Sequence, residues 1–410
     1  MTAATIDIGK TKESSFWIGS FLISGTCIGG GMLAMPTQMA ESGFPLTFFN
    51  LFISWVFMTF TGLLLAEATL WLKNETHFTS LSKFLVGDWL KFLALAVYLF
   101  MNYASLVAYT AAGASLIQFW LHSFSGISIS YEMACIFFTA AFGFFIFLGA
   151  QFVGKINFLC MIALTAAYCI LIGFGLKSIQ MNNLTYRSNF IESFGSLSII
   201  LATFSYQMVI PSVCAYMQYD TTKLRKTIIF GTTLPFIVYA LWVFVIHGAV
   251  PLEGANGLRE AFENGASVTV TLRGRFNHWS LDILADSFAF LAVLTSYLGL
   301  SLALFYFLKD TFREIKIELS RNAIILMTII PTLFLATLYP KALLQCLDIS
   351  GGFGDTILSG LIPIGMVFIG RYKKKLDASY ETPGGKPALL LATCFFLVIL
   401  LQNCYQLIGF

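Results

Sequence analysis

Gly25-Thr26-Cys27-Ile28-Gly29-Gly30-Gly31-Met32, with Pro36 just beyond it, interrupts the first long apolar stretch of the chain. Hydrophobic residues on both sides place this run within a bilayer. Three successive glycines nevertheless weaken a helix by about 1 kcal/mol each relative to alanine, and they leave amides and carbonyls without internal partners. Such backbone is tolerated at membrane depth only where it is enclosed by protein or lines a cavity. A second interruption, Phe204-Ser205-Tyr206-Gln207-Met208-Val209-Ile210-Pro211, opens the second half of the chain.

The composition agrees with a bilayer setting. Of 410 residues, 58% are hydrophobic and 11% charged, and the mean hydropathy is +0.81, which no soluble domain of this length sustains. With roughly 20 apolar residues needed per crossing, the chain reads as an all-α polytopic membrane protein of eleven spans. They are 15–40, 44–72, 89–121, 131–149, 156–176, 191–218, 224–248, 279–309, 321–339, 342–370 and 387–409. Eighteen lysines and arginines fall on the face that carries Lys10, Lys12, Lys73, Lys155 and Arg371, against six on the other, including Arg187, Arg273 and Arg275. Cytoplasmic loops retain basic residues, so the N-terminus is expected in the cytoplasm and the C-terminus outside. The net charge of +3 is then a topology signal, and the partners it implies are lipids, not nucleic acid.

The segments between spans support this layout. Residues 1–14 form a polar cytoplasmic tail leading into a full-length span, not a cleavable signal. The eight cysteines lie in apolar segments without CxxC spacing, so neither a disulfide framework nor a zinc site is supported. Lys73 to Asp88 places Phe78, Leu81, Phe84 and Leu85 at helical spacing, predicting a short interfacial helix. Pro251 to His278 is the longest hydrophilic stretch and is expected to cap the outer vestibule.

Five spans run from the first interruption and five from the second, leaving the eleventh over. The repeats would be 15–176 and 191–370, with 387–409 as the extra helix. An odd number of spans per unit inverts the second relative to the first, and paired broken helices point to the substrate site of a secondary transporter. Gly25-Thr26 with Ile28-Gly29-Gly30-Gly31-Met32-Leu33-Ala34-Met35-Pro36, Glu67 within Leu64-Leu65-Ala66-Glu67-Ala68, Pro211-Ser212 with Tyr216-Met217, and Thr295-Ser296-Tyr297-Leu298-Gly299 resemble the hydroxy/aromatic amino-acid permeases, which include tyrosine- and tryptophan-specific carriers. The resemblance implies a LeuT-type fold with the first and sixth spans broken, a bacterial-type inner membrane, and uptake of tyrosine, tryptophan or phenylalanine by alternating access.

The residues support a substrate site independently. Amides freed at Gly29, Gly30 and Gly31 sit at the positive end of the following half-helix, where they can hold a carboxylate; Thr26, Cys27 and Met32 flank them. Glycines at this spacing also serve helix packing. At the second interruption Phe204, Ser205, Tyr206 and Gln207 lie at membrane depth. By analogy with the fold, carbonyls there would receive the substrate ammonium, whereas Tyr206 and Gln207 could instead bond neighbouring helices. In the third span, Asn102 and Ser105, and Ser105 and Tyr109, share faces; the resemblance implies an aromatic beside the substrate, either Tyr103 or Tyr109.

Coupling admits two readings. Ala292, Thr295 and Ser296 share a helical face and could form an oxygen cage for sodium with the carbonyls of Gly25 and Ile28, unless the hydroxyls bond their own helix. The resemblance implies proton symport, which needs an ionisable group at depth. Glu67, Asp286 and Asp355 are the candidates within spans, with Asp348 and Glu192 nearer the outer edge. Lys155 falls in the loop before span five, whereas many relatives carry a lysine within it. His122 and His247 lie at outer span ends. No nucleophile–base or metal motif for an intramembrane enzyme is present in the sequence, no cofactor is implied, and the paired interruptions favour a carrier over a channel.

Overall fold

Long apolar runs bounded by charged or turn-forming residues fold into helices, because a bilayer leaves no other way to pair the backbone of an isolated span. The computed structural model describes residues 15–72, 78–186, 193–273, 279–377 and 379–408. The expected tail 1–14 and residues Lys73, Arg187, Glu192 and Arg275 lie outside the described residues. Among the described residues, ten helices are long and apolar enough to cross a membrane, and a bent pair makes an eleventh. The protein is a multi-pass, helical membrane protein.

The bent pair is the glycine-rich run. Helix α1 (Phe16–Cys27) and α2 (Gly31–Gln38) meet at 53°. The turn occurs at Ile28, extended at φ −72°, ψ 109°. Then come α3 (Gly43–Leu72), α4 (Phe78–Leu85), α5 (Asp88–Ser125), α6 (Tyr131–Leu148), α7 (Ala150–Lys177) and the short α8 (Met181–Leu184). Lys155, expected in a loop, lies inside α7 near its start and is exposed. The apolar pattern alone started that helix a turn and a half late.

The second interruption is also real. Helix α9 (Leu197–Thr203) stops, Phe204 to Tyr206 are irregular, one 3-10 turn covers Gln207–Val209, and α10 (Ile210–Tyr216) resumes. Pro211 stands at the start of α10, where a helix has no use for the missing amide. Proline therefore begins the second half-helix.

Helix α11 (Thr221–Ala249) follows. The loop after it carries α12 (Leu258–Glu263) and α13 (Thr269–Leu272). This loop packs onto α2: the amide of Val268 donates to the Leu33 carbonyl at 3.0 Å. Helices α14 (Trp279–Glu314), α15 (Arg321–Leu338), α16 (Ala342–Lys373) and α17 (Gly385–Ile408) complete the chain.

Two elements differ from an ordinary reading. The middle of α16, Ser350–Leu361, is wound as a π-helix, a widening often found at functional sites. A side chain on Gly351 would meet the carbonyl of Ser198 and, at 3.0 Å, the amide of Ala202, so α9 lies directly against this segment. Helix α4 turns Phe78, Leu81 and Leu85 into the protein, each at most 3% exposed, and leaves Phe84 outside. Its apolar face packs on helices, so it is less a lipid-lying element than the sequence suggests.

A candidate substrate site between two interrupted helices

Helix α11 ties both interruptions together. The Tyr239 hydroxyl lies 2.6 Å from the Cys27 carbonyl and 3.2 Å from the Thr203 carbonyl, so one group reaches the last residues of α1 and α9. One turn on, Trp242 Nε1 donates to the Met32 carbonyl at 2.9 Å. His247 Nε2 lies 3.0 Å from the Pro36 carbonyl. Below these, Ser24 Oγ donates to the Gly231 carbonyl at 2.8 Å. A single helix thus holds both halves of the bent pair and occupies carbonyls that the bend sets free.

The glycines of the run are required for space. None of Gly29, Gly30 and Gly31 has a positive φ. A Cβ on Gly29 would collide with Ser296 Oγ, one on Gly30 with the Tyr109 ring, and one on Gly31 would stand 2.8 Å from Thr203 Cγ2. Helices α14, α5 and α9 therefore converge here. The Gly30 amide, expected to hold a carboxylate, donates to Ser296 Oγ at 2.9 Å. The amides of Met32 and Leu33 are used by the carbonyls of Gly29 and Gly30. Among the described residues no group accepts from the amides of Gly29 and Gly31.

Some candidate residues sit elsewhere. Tyr206 Oη donates to the Met58 carbonyl at 2.9 Å, and Gln207 Nε2 reaches that carbonyl and Thr61 Oγ1, both at 3.3 Å. Both side chains reach α3, and Gln207 Oε1 also accepts the Tyr206 amide at 3.1 Å. Tyr103 Oη donates to the Met327 carbonyl on α15 at 2.7 Å, whereas Tyr109 stands against Gly30, so Tyr109 is the aromatic brought to the run. Asn102 bonds back to Tyr98 at 2.8 Å. Thr26 is exposed and bonds Leu22 at 2.7 Å; Gly25 is exposed as well. Cys27, Met32 and Phe204 are buried at the junction, the last edge-on to Tyr239 at 5.4 Å.

A family model described as the tryptophan/tyrosine permease family matches residues 12–403. The chain belongs to this family. It is 28% identical to a tyrosine-specific transport system of Haemophilus influenzae, over 93% of this chain and 95% of that protein. Identity to a low affinity tryptophan permease of Escherichia coli O157:H7 is 26%, over 96% of both. A glutamine transporter of Aliivibrio fischeri is also 28% identical, over 94% of this chain and 98% of that one. Family and relatives are transporters, not enzymes.

The carboxylates of this permease separate by partner. Glu67 is fully buried and faces Arg371, with Nε–Oε1 at 2.6 Å and Nη2–Oε2 at 2.5 Å, and it accepts the Thr382 amide at 2.7 Å. It clasps α3 to the end of α16, away from the interruptions, so its assignment to coupling is not what its contacts suggest. Asp286 pairs with Arg273 at 2.9 Å, and that guanidinium lies 3.5 Å over the Phe119 ring. Asp348 accepts from Ser198. In the expected cation cage, Thr295 Oγ1 donates to the Ala292 carbonyl at 3.1 Å and Ser296 takes the Gly30 amide, while Gly25 lies on an exposed flank. The hydroxyls thus satisfy protein groups. Tyr239, Trp242 and Thr203 were not legible as site residues, because hydroxyls and indoles in apolar spans give no periodic signal.

Proposed function

We propose that this permease is a secondary symporter that takes up aromatic amino acids, tyrosine foremost and tryptophan and phenylalanine besides, driven by a proton gradient. The observation that carries the reading is the junction at Tyr239, where two interrupted helices from opposite halves of the chain meet around the free amides of Gly29 and Gly31. Those amides open α2, where a helix start favours a substrate carboxylate. The Ser205 carbonyl, between Phe204 and Tyr206 whose carbonyls already accept backbone amides, offers an acceptor for the ammonium, and Tyr109 and Phe204 provide rings at the same place. The relatives that carry tyrosine and tryptophan support an aromatic substrate; the glutamine transporter makes glutamine the competitor to include.

In this reading the chain has a LeuT-type architecture, with 15–176 and 191–370 as inverted repeats, 387–409 as an additional helix, the N-terminus in the cytoplasm and the C-terminus outside a bacterial-type inner membrane. Protons are favoured over sodium on the resemblance to proton-coupled permeases and because Gly25, expected to complete the oxygen cage, is exposed. Counterflow of labelled tyrosine in proteoliposomes tests the substrate, with unlabelled tyrosine, tryptophan, phenylalanine and glutamine as competitors. Competition by glutamine and none by aromatics would overturn the substrate assignment. Accumulation under a sodium gradient alone would overturn proton coupling.

A further inference from the structure

One buried carboxylate beside the interruptions meets no cation among the described residues. Asp355 lies in the π-wound middle of α16 and is 1% exposed. Its Oδ1 accepts from Ser359 Oγ at 2.9 Å. Its Oδ2 is enclosed and has no hydrogen-bond partner among the described residues. Ser205 of the second interruption lies beside the carboxyl group.

The groups on surrounding elements leave this carboxylate alone. Helices α1 and α9 carry no charged residue. On α5 the groups are Tyr98, Tyr103 and Tyr109, with Asp88, Lys91 and His122 near its ends. Helix α3 offers Glu67, already neutralised by Arg371. Helix α17 carries Lys386, Cys394, Cys404 and Tyr405, and the lysine lies over the Tyr372 ring at 4.8 Å. Within α16 itself, Cys346 and Asp348 precede the π segment and Arg371, Tyr372 and Lys373 follow it. An isolated anion in such surroundings is very costly; a neutral acid is not.

We propose that Asp355 is the residue that carries the coupled proton, an inference that rests on the symport reading above. An O–H bond forms at the carboxylate with a proton drawn from one aqueous phase; the same bond breaks when the other phase gains access, and no other covalent change occurs. Enclosure of Oδ2 favours a proton over the larger substrate ammonium. Position links protonation to movement, because Ser350 Oγ of α16 lies 3.3 Å from Ser105 Oγ of α5 and Gly351 abuts α9. Neutral Asp355 allows this close packing, and loss of its proton opposes it until water enters.

The test uses purified permease in proteoliposomes with labelled tyrosine and an entrapped pH-sensitive dye. Wild-type protein must first show tyrosine-dependent proton uptake; its absence would remove the symport reading, independently of Asp355. Asp355→Asn is expected to retain counterflow within about threefold of wild type while losing both gradient-driven accumulation and dye response. Retained accumulation overturns the proposal. Loss of counterflow as well, restored by Asp355→Glu, would assign the carboxylate to the substrate ammonium and also overturns it. If Asp355→Asn does not insert, Ser359→Ala carries the test: removing a donor to the charged form raises proton affinity, so the pH midpoint of uptake should move upward. An unmoved midpoint overturns the proposal.

Discussion

The hydroxyl of Tyr239 donates to the carbonyl of Cys27 across 2.6 Å, fastening the end of the first half-helix to a neighbour that also reaches Thr203. Tyr239→Phe keeps the ring against Phe204 and removes the hydroxyl from both the Cys27 and the Thr203 carbonyls. A buried hydrogen bond contributes about 1 kcal/mol and an orphaned buried carbonyl costs about 1–3, so stability should fall modestly. Transport should fall about tenfold or more, because the loss lies at the junction of the two interruptions. Uptake kinetics and thermal unfolding in detergent check both. Unchanged transport would show that the junction is structural only.

Gly30 lies where a Cβ would meet the Tyr109 ring, 2.9 Å from Cδ1 and closer still to Cε1. Gly30→Ala should cost about 1–3 kcal/mol through overpacking, and Gly30→Val more. Adding Tyr109→Ala to Gly30→Ala should restore stability without restoring tyrosine affinity, since the aromatic neighbour is gone. Comparing Tm with the concentration dependence of counterflow separates the two effects. Normal affinity in Gly30→Val would refute the role given to this run.

Glu67 and Arg371 form a pair whose side chains are 0% and 7% exposed. Removing one partner leaves an uncompensated buried charge, at a cost of about 3–5 kcal/mol. Glu67→Gln and Arg371→Gln should each lower Tm strongly, and the double substitution should lower it by less than their sum. Additive losses would mean that the ions do not stabilise one another.

Thr295 bonds the Ala292 carbonyl at 3.1 Å. Thr295→Ala should therefore leave proton-driven uptake within about twofold of wild type, with or without sodium. A sodium-stimulated wild type whose stimulation vanished in this variant would restore the oxygen cage.

Much of the architecture is legible without coordinates, because each span must be long, apolar and bounded. Asp88 and Ser125 bracket α5 close to the predicted 89 and 121, and the run at Gly25 to Met32 is bent where its glycines stand. Lys155 escapes because an exposed lysine at a helix start resembles a loop residue to any hydropathy pattern. The π-wound part of α16 escapes because its glycines serve neighbours that are distant in sequence.

The sequence by itself determined the membrane class, the spans, the two interruptions and the family, since these depend on local composition and on backbone chemistry that must be satisfied within each segment. Only the tertiary structure decided which polar groups are already spent. It turned Tyr206 and Gln207 onto Met58, gave the Gly30 amide to Ser296, paired Glu67 with Arg371 and left Asp355 without a cation. Partnership depends on which helices lie side by side, and residues hundreds of positions apart leave no mark of that proximity in a single chain read from end to end.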